Sequence, residues 1–231
     1  MKLSEIKKAY LNDKNVSFYD NSIARFVFRP ISFFIAYFLI KLKFTPNFIT
    51  LSSIIVPLAL IPVILFSPQQ YFGILLFSIT LVWVILDYVD GTMARAMDKK
   101  SNEGHFFDLT GAYLTFLWLY PLLGLNGYYE TSNVIFLFIG PMTSAFTLYP
   151  RLLNAKHASI FMKDDERIQM TKTGNIYEIV DSLFSMRGLF IPLWAVSLYI
   201  NSVHVFILIY LLYYTLVSVV ITVKLNSRLS L

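Results

Sequence analysis

Apolar residues run through this chain in blocks too continuous for the stripe of a soluble helix or the alternation of a half-buried strand. Crossing a bilayer takes about 20 largely apolar residues, and several blocks approach that length. Phe48–Phe66 is the first, introduced by Thr45-Pro46-Asn47. Tyr71 to about Met97 is the second, about His105 to Leu125 the third, and Val134 to about Leu153 the fourth. Leu189–Ile200 and Val203–Val223 give a fifth and a sixth, divided by Asn201-Ser202; the fifth is short, which allows a start as early as Ile179. Before them, Pro30–Lys43 (PISFFIAYFLIKLK) is apolar but only about 14 residues long, short for a span, and reads as a helix lying in the membrane interface. The pattern predicts an all-α integral membrane protein of six transmembrane helices preceded by an N-terminal interfacial helix. It is expected to form a single domain over residues 1–231, with 1–44 as the cytoplasmic segment and interfacial helix and 45–225 as the bundle.

Charge placement orients this map. Eight of the 19 Lys and Arg residues precede residue 44; Arg95, Lys99 and Lys100 lie between the second and third blocks. Six more lie between the fourth and fifth, and Lys224 and Arg228 follow the sixth. The alternate loops, around Ser67–Gln70, Asn126–Asn133 and Asn201–Ser202, carry none. By the positive-inside rule both termini are expected in the cytoplasm. The net charge of +5 is then a membrane-surface feature. Nucleic-acid binding would need that charge focused on a soluble domain, and none is expected. The composition agrees: 57% hydrophobic and 14% charged, with a mean hydropathy of +0.63, where soluble domains have about 45–50% and about 25%. Cysteine is absent, which excludes disulfides and Cys-ligated zinc. The opening MKLSEIKKAYLNDKN lacks the apolar core of a signal peptide and is not read as one.

Candidate chemistry gathers in LDYVDGTMARAMDKKSNEGHFFDLTGAY, residues 86–113. Asp87 and Asp90 are three apart, so on a helix they share a face. Gly91 and Ala94 carry that face onward with side chains small enough for a ligand or another helix to approach the backbone. Arg95 ends the segment, the chain turns back, and Asp108 falls one turn inside the next helix after Gly104. The fold can thus bring carboxylates from two antiparallel helices together near the cytoplasmic boundary. An ionised Asp at a membrane helix centre costs about 2.5–3.5 kcal/mol on the insertion scale. One Arg does not neutralise three of them. A divalent cation does, and Mg²⁺ or Mn²⁺ prefers oxygen ligands in company with substrate phosphates. The plainer alternative is a set of buried ion pairs or solvated helix ends.

The run Asp87-x2-Asp90-Gly91-x2-Ala94-Arg95-x8-Gly104-x3-Asp108 resembles the signature of the class-I CDP-alcohol phosphotransferase family. The strong match covers about 26 residues; the six-span layout, the interfacial helix and Thr45-Pro46-Asn47 are similar to the family over most of the chain. The resemblance implies an integral membrane enzyme of phospholipid-type synthesis. It would take a CDP-linked alcohol, CDP-diacylglycerol or a CDP-amino-alcohol, transfer a substituted phosphate to an acceptor alcohol and release CMP. It implies two divalent metals, Mg²⁺ or Mn²⁺, held by Asp residues, here Asp87, Asp90 and Asp108, and commonly a homodimer. Gly91, Ala94 and Gly104 would make room for the nucleotide, Arg95 would support the carboxylates or the diphosphate, and Asn47 and Thr50 would reach the nucleotide. Arg151 and Arg187 are candidates for an anionic acceptor, or equally for anionic lipid headgroups. They bound the mixed-charge segment 154–187, which reads as a connector or as an acceptor clamp.

The sequence departs from the family at one corner. The pattern ends Asp-x3-Asp, whereas here Asp108 is followed by Ala112. In the family that position is the proposed general base and a metal ligand, and Ala is neither. Three readings stand: a chain inactivated at Ala112, a member using another base, for which His105 and Tyr113 are near in sequence, and a protein that binds a CDP-alcohol without turnover. A transporter is a further alternative, since intramembrane acids also mark ion pathways, but these acids cluster at one face rather than at the midplane. Small size and short loops suggest a prokaryotic inner membrane, with the site facing the cytoplasm.

Overall fold

The computed structural model describes residues 1–12, 24–99, 101–161, 184–186 and 188–229, and no strand occurs among them. The helices are α1 (Leu3–Asn12), a π-helical turn (Ala24–Phe28) running into α2 (Arg29–Lys41), α3 (Pro46–Leu65), α4 (Gln69–Ala96), α5 (Asn102–Thr131), α6 (Phe136–Phe161), α7 (Phe190–Tyr199) and α8 (Val203–Leu229). Every apolar block of the sequence is a helix. Among the described residues, Gln69–Ala96, Asn102–Thr131 and Val203–Ser227 are long and apolar enough to cross a membrane; Pro46–Val56 and Phe190–Tyr199 are shorter apolar stretches. Helices α5 and α6 run beyond the apolar blocks that announced them, because a helix goes on satisfying its backbone after its side chains turn polar. The suggested early start of the fifth block near Ile179 and most of segment 154–187 lie outside the described residues.

The chain forms two compact units. The first comprises Met1–Leu114 and Val180–Ala195, the second Thr115–Ile179 and Val196–Leu231. In the first, α4 packs against both α2 and α3. Ala36, Ile49, Val89 and Met93 form the buried seam. Helix α1, which the apolar pattern did not announce, lays Ile6 and Tyr10 on Phe33 of α2. Between them the buried guanidinium of Arg29 lies 5.0 Å from the Tyr10 ring and 4.7 Å from the Tyr88 ring. Phe28 stacks on the same Tyr88 at 5.3 Å. A desolvated cation over an aromatic face contributes about 2 kcal/mol, here shared by three helices. Ser32 and Thr92 add a buried hydroxyl pair at 3.0 Å between α2 and α4. On its other side α2 exposes Ile31, Phe34 and Phe38, a helical stripe such as a helix lying against lipid presents.

In the second unit α6 packs along α8, and α5 meets α6 where Gly124 faces Gly140. A Cβ on Gly124 would collide with the Phe136 carbonyl and come to 2.8 Å from the Gly140 Cα. A Cβ on Gly140 would stand 2.6 Å from the Tyr120 carbonyl. Small residues at such crossings let membrane helices pack backbone to backbone. Glu130, at the end of α5, caps α8: its carboxylate accepts from the backbone amides of Val203 (3.2 Å) and His204 (3.0 Å) and meets the His204 Nδ1 at 2.8 Å. A carboxylate at a helix N-terminus satisfies amides left without intrahelical partners.

The glycine crossing gives a direct test. Gly124→Ala pushes a methyl into backbone that has no flexible end to yield, and is expected to destabilise the protein by about 1–3 kcal/mol. Thermal unfolding in detergent reads this; an unchanged midpoint would show that the helices do not cross there.

Candidate functional site

Helix α4 ends in a Schellman turn. Asp98 takes a left-handed φ of 52°, the Asp98 amide donates to the Arg95 carbonyl and the Lys99 amide to the Ala94 carbonyl. Asp is among the few residues that adopt this conformation readily. Two residues later Ser101 starts α5: its Oγ accepts from the Gly104 amide at 3.0 Å, an N-cap. The reversal between the two helices is therefore short and capped on both sides. On the facing wall Thr45 caps α3, accepting from the Phe48 amide at 3.3 Å, with Pro46 in the first turn.

These ends enclose a cavity of about 250 Å³. It is lined by Pro46, Asn47 and Thr50 of α3, by Asp90, Gly91, Ala94 and Arg95 of α4, by Lys99 and Ser101 of the turn, and by Gly104, His105 and Asp108 of α5. All of these residues belong to the first unit. Asp90 is only 7% exposed. Beside it on the α3 wall, the Thr50 hydroxyl donates to the Pro46 carbonyl at 3.2 Å. Asp108 lines the same cavity from α5. At Gly91 an added Cβ would lie 3.2 Å from an Arg95 guanidinium nitrogen, and at Gly104 3.2 Å from the Ser101 Oγ and 3.4 Å from the Asn47 Oδ1. Both glycines keep the walls close without filling the space between them.

The structure therefore brings together Asn47, Thr50, Asp90, Gly91, Ala94, Arg95, Gly104 and Asp108 of the residues singled out from the sequence. Asp87 is half-buried one turn earlier on α4 and is not part of the cavity wall. Ala112 is half-buried one turn past Asp108, also outside the wall. Arg151 belongs to the second unit, where it donates to the Thr147 carbonyl and lies over the rings of Phe116 (4.7 Å) and Tyr214 (5.7 Å). Arg187 lies outside the described residues. Lys99 and Ser101 were not singled out from the sequence. Ser101, three residues before Gly104, carries the N-cap signal that would have found it; Lys99 is placed only by the left-handed turn.

The oxygen donors of Asp90 and Asp108 on two facing helices, with Asp87 a turn away, suit a hard divalent cation in chemical type. Among the described residues no group of three or more His, Asp or Glu is closed up tightly enough to hold one by itself.

The model of the CDP-alcohol phosphatidyltransferase family matches residues 43–161, just over half of the chain and the whole of the cavity. The chain belongs to this family. Membership and the apolar helices together make it an integral membrane protein with a phosphotransferase domain of phospholipid synthesis, whose substrates are a CDP-linked alcohol and an acceptor alcohol. A comparison with curated proteins finds no match.

Removing the N-cap tests whether the turn sets the cavity wall. Ser101→Ala forfeits about 1 kcal/mol of cap, and CDP affinity is expected to fall roughly fivefold if that energy holds the wall in place. Calorimetry in lipid nanodiscs measures it, and an unchanged Kd would assign Ser101 to helix stability alone.

Proposed function

We propose that the cavity takes the cytidine and diphosphate of a CDP-linked alcohol, and that the protein transfers the substituted phosphate to an acceptor alcohol with release of CMP. The observation that carries this is the convergence of Asp90 and Asp108, from two different helices, on one cavity with the small residues Gly91, Ala94 and Gly104 in its walls. Acidic walls repel a diphosphate unless cations lie between, so the reading requires Mg²⁺ or Mn²⁺. Asp90 and Asp108 would hold them, Asp87 would join from its place one turn away, and substrate oxygens would complete the ligand set. When bound, such a cation neutralises charge on the phosphate under attack and on the leaving group. Asn47 and Thr50 orient the nucleotide from the α3 wall, and Arg95 and Lys99 supply positive charge.

The same reading places α3 to α8 as six spans, with the cavity at the cytoplasmic face. The end of α4 carries Arg95 and the turn after it Lys99 and Lys100, while the turns on the other side carry no Lys or Arg. Arg151 has its guanidinium engaged within its own unit, so no acceptor role is assigned to it. Ala112 removes the family's base and one of its metal ligands, and turnover in this chain is accordingly depressed.

The test pairs binding with turnover. Asp90→Asn and Asp108→Asn should each weaken Mn²⁺-dependent binding of a CDP-alcohol by about 10- to 100-fold, the loss expected when a charge-assisted contact goes. Ala112→Asp should raise CMP release, by up to about 10²–10⁴-fold. Binding that ignores both Asp substitutions would refute the cavity as the donor site.

A further inference from the structure

We infer that His105 takes the proton from the acceptor hydroxyl in this chain, the task that Ala112 is chemically unable to perform. The inference rests on the phosphotransferase reading above. A base for this step must line the cavity, hold a lone pair that nothing else commits, and pass its proton on. His105 lines the cavity with Asp90 and Asp108, and Ala112 does not. His105 and Asp108 are three residues apart on α5, so they share a face. On that face the family's base would sit one turn beyond Asp108, and His105 sits one turn before it.

Elimination among the other polar side chains of the wall leads to the same residue. Arg95 and Lys99 carry protons and offer no lone pair. Asn47, Thr50 and Ser101 are not bases near neutral pH. Asp90 and Asp108 are committed to cations in the proposed site. The imidazole is the side chain most often used as a base near neutral pH. The backbone beneath it is held, with the His105 amide donating to the Ser101 carbonyl at 3.1 Å, while the residue itself is exposed, so water can remove the proton. In the step, the hydroxyl proton moves to a ring nitrogen as the alcohol oxygen bonds to phosphorus. The bond from phosphorus to the CMP oxygen breaks and its electron pair leaves with CMP. The imidazolium then returns its proton to water, and no further reactant is needed.

The experiment measures CMP release and Mn²⁺-dependent CDP binding in lipid nanodiscs, against a panel of CDP-alcohols and acceptors. It compares the parent chain, His105→Ala, Ala112→Asp and the double variant. The expected result is slow release by the parent and a loss of about 10²-fold or more in His105→Ala with CDP affinity kept within about threefold. Release should return in the double variant, which shows that the site was folded and lacked only a base. A parent rate unmoved by His105→Ala overturns the proposal. So does a silent parent beside an active Ala112→Asp, although the phosphotransferase reading then survives. Silence in all four with CDP still bound overturns it in favour of binding without turnover. Silence without CDP binding overturns the donor-site reading and this proposal with it.

Discussion

A carboxylate held at 7% exposure on an apolar helix is the constraint around which the first unit is arranged. Asp90 follows Tyr88 and Val89, which are also buried, and shares the cavity wall with Asp108. Helical residues are 100° apart around the axis. A rotation of α4 by one residue would therefore replace Asp90 in the cavity wall with Val89 or Gly91. The contacts around α4 prevent that rotation: Arg29 and Phe28 grip Tyr88, Ser32 meets Thr92, and Val89 and Met93 key into Ala36 and Ile49. An ionised acid at a membrane boundary costs free energy that opposite charge offsets. The cations proposed for the cavity would supply that charge.

The second acid arrives through a short reversal. The Schellman turn at Asp98 and the cap at Ser101 complete the loose ends of α4 and α5 within a few residues. Little freedom remains in how Asp108 faces Asp90. The same economy places Lys99 at the cavity, a cation that no apolar or acidic pattern marked out. The second unit is held by different means: a backbone crossing at Gly124 and Gly140, a Tyr120–Tyr214 hydroxyl pair at 3.3 Å and the Glu130 cap on α8. Its polar groups serve one another, as the engaged guanidinium of Arg151 illustrates.

The helices were legible because a bilayer leaves few options. Backbone groups without water must bond internally, so a long apolar run is a helix. The acidic signature was legible in part: Asp90, Gly91, Ala94, Gly104 and Asp108 do share one cavity, but Asp87, three residues before Asp90 and so expected on its face, stays outside the wall. Helix α1 was not legible: its two inward residues, Ile6 and Tyr10, are too few to stand out among lysines. Nor was the cap from Glu130 to His204, whose partners are 74 residues apart.

By itself the sequence determined the all-helical fold, the family and the set of acids, since each follows from local periodicity or fixed spacing along one chain. It also determined that Ala112 offers no carboxylate. Tertiary structure alone decided which of those acids line the cavity, leaving Asp87 and Ala112 outside its wall and bringing His105 and Lys99 into it. It also gave Arg151 partners within its own unit. The physical reason is that a helix fixes which residues share a face, but only packing against other helices fixes which face turns toward the site.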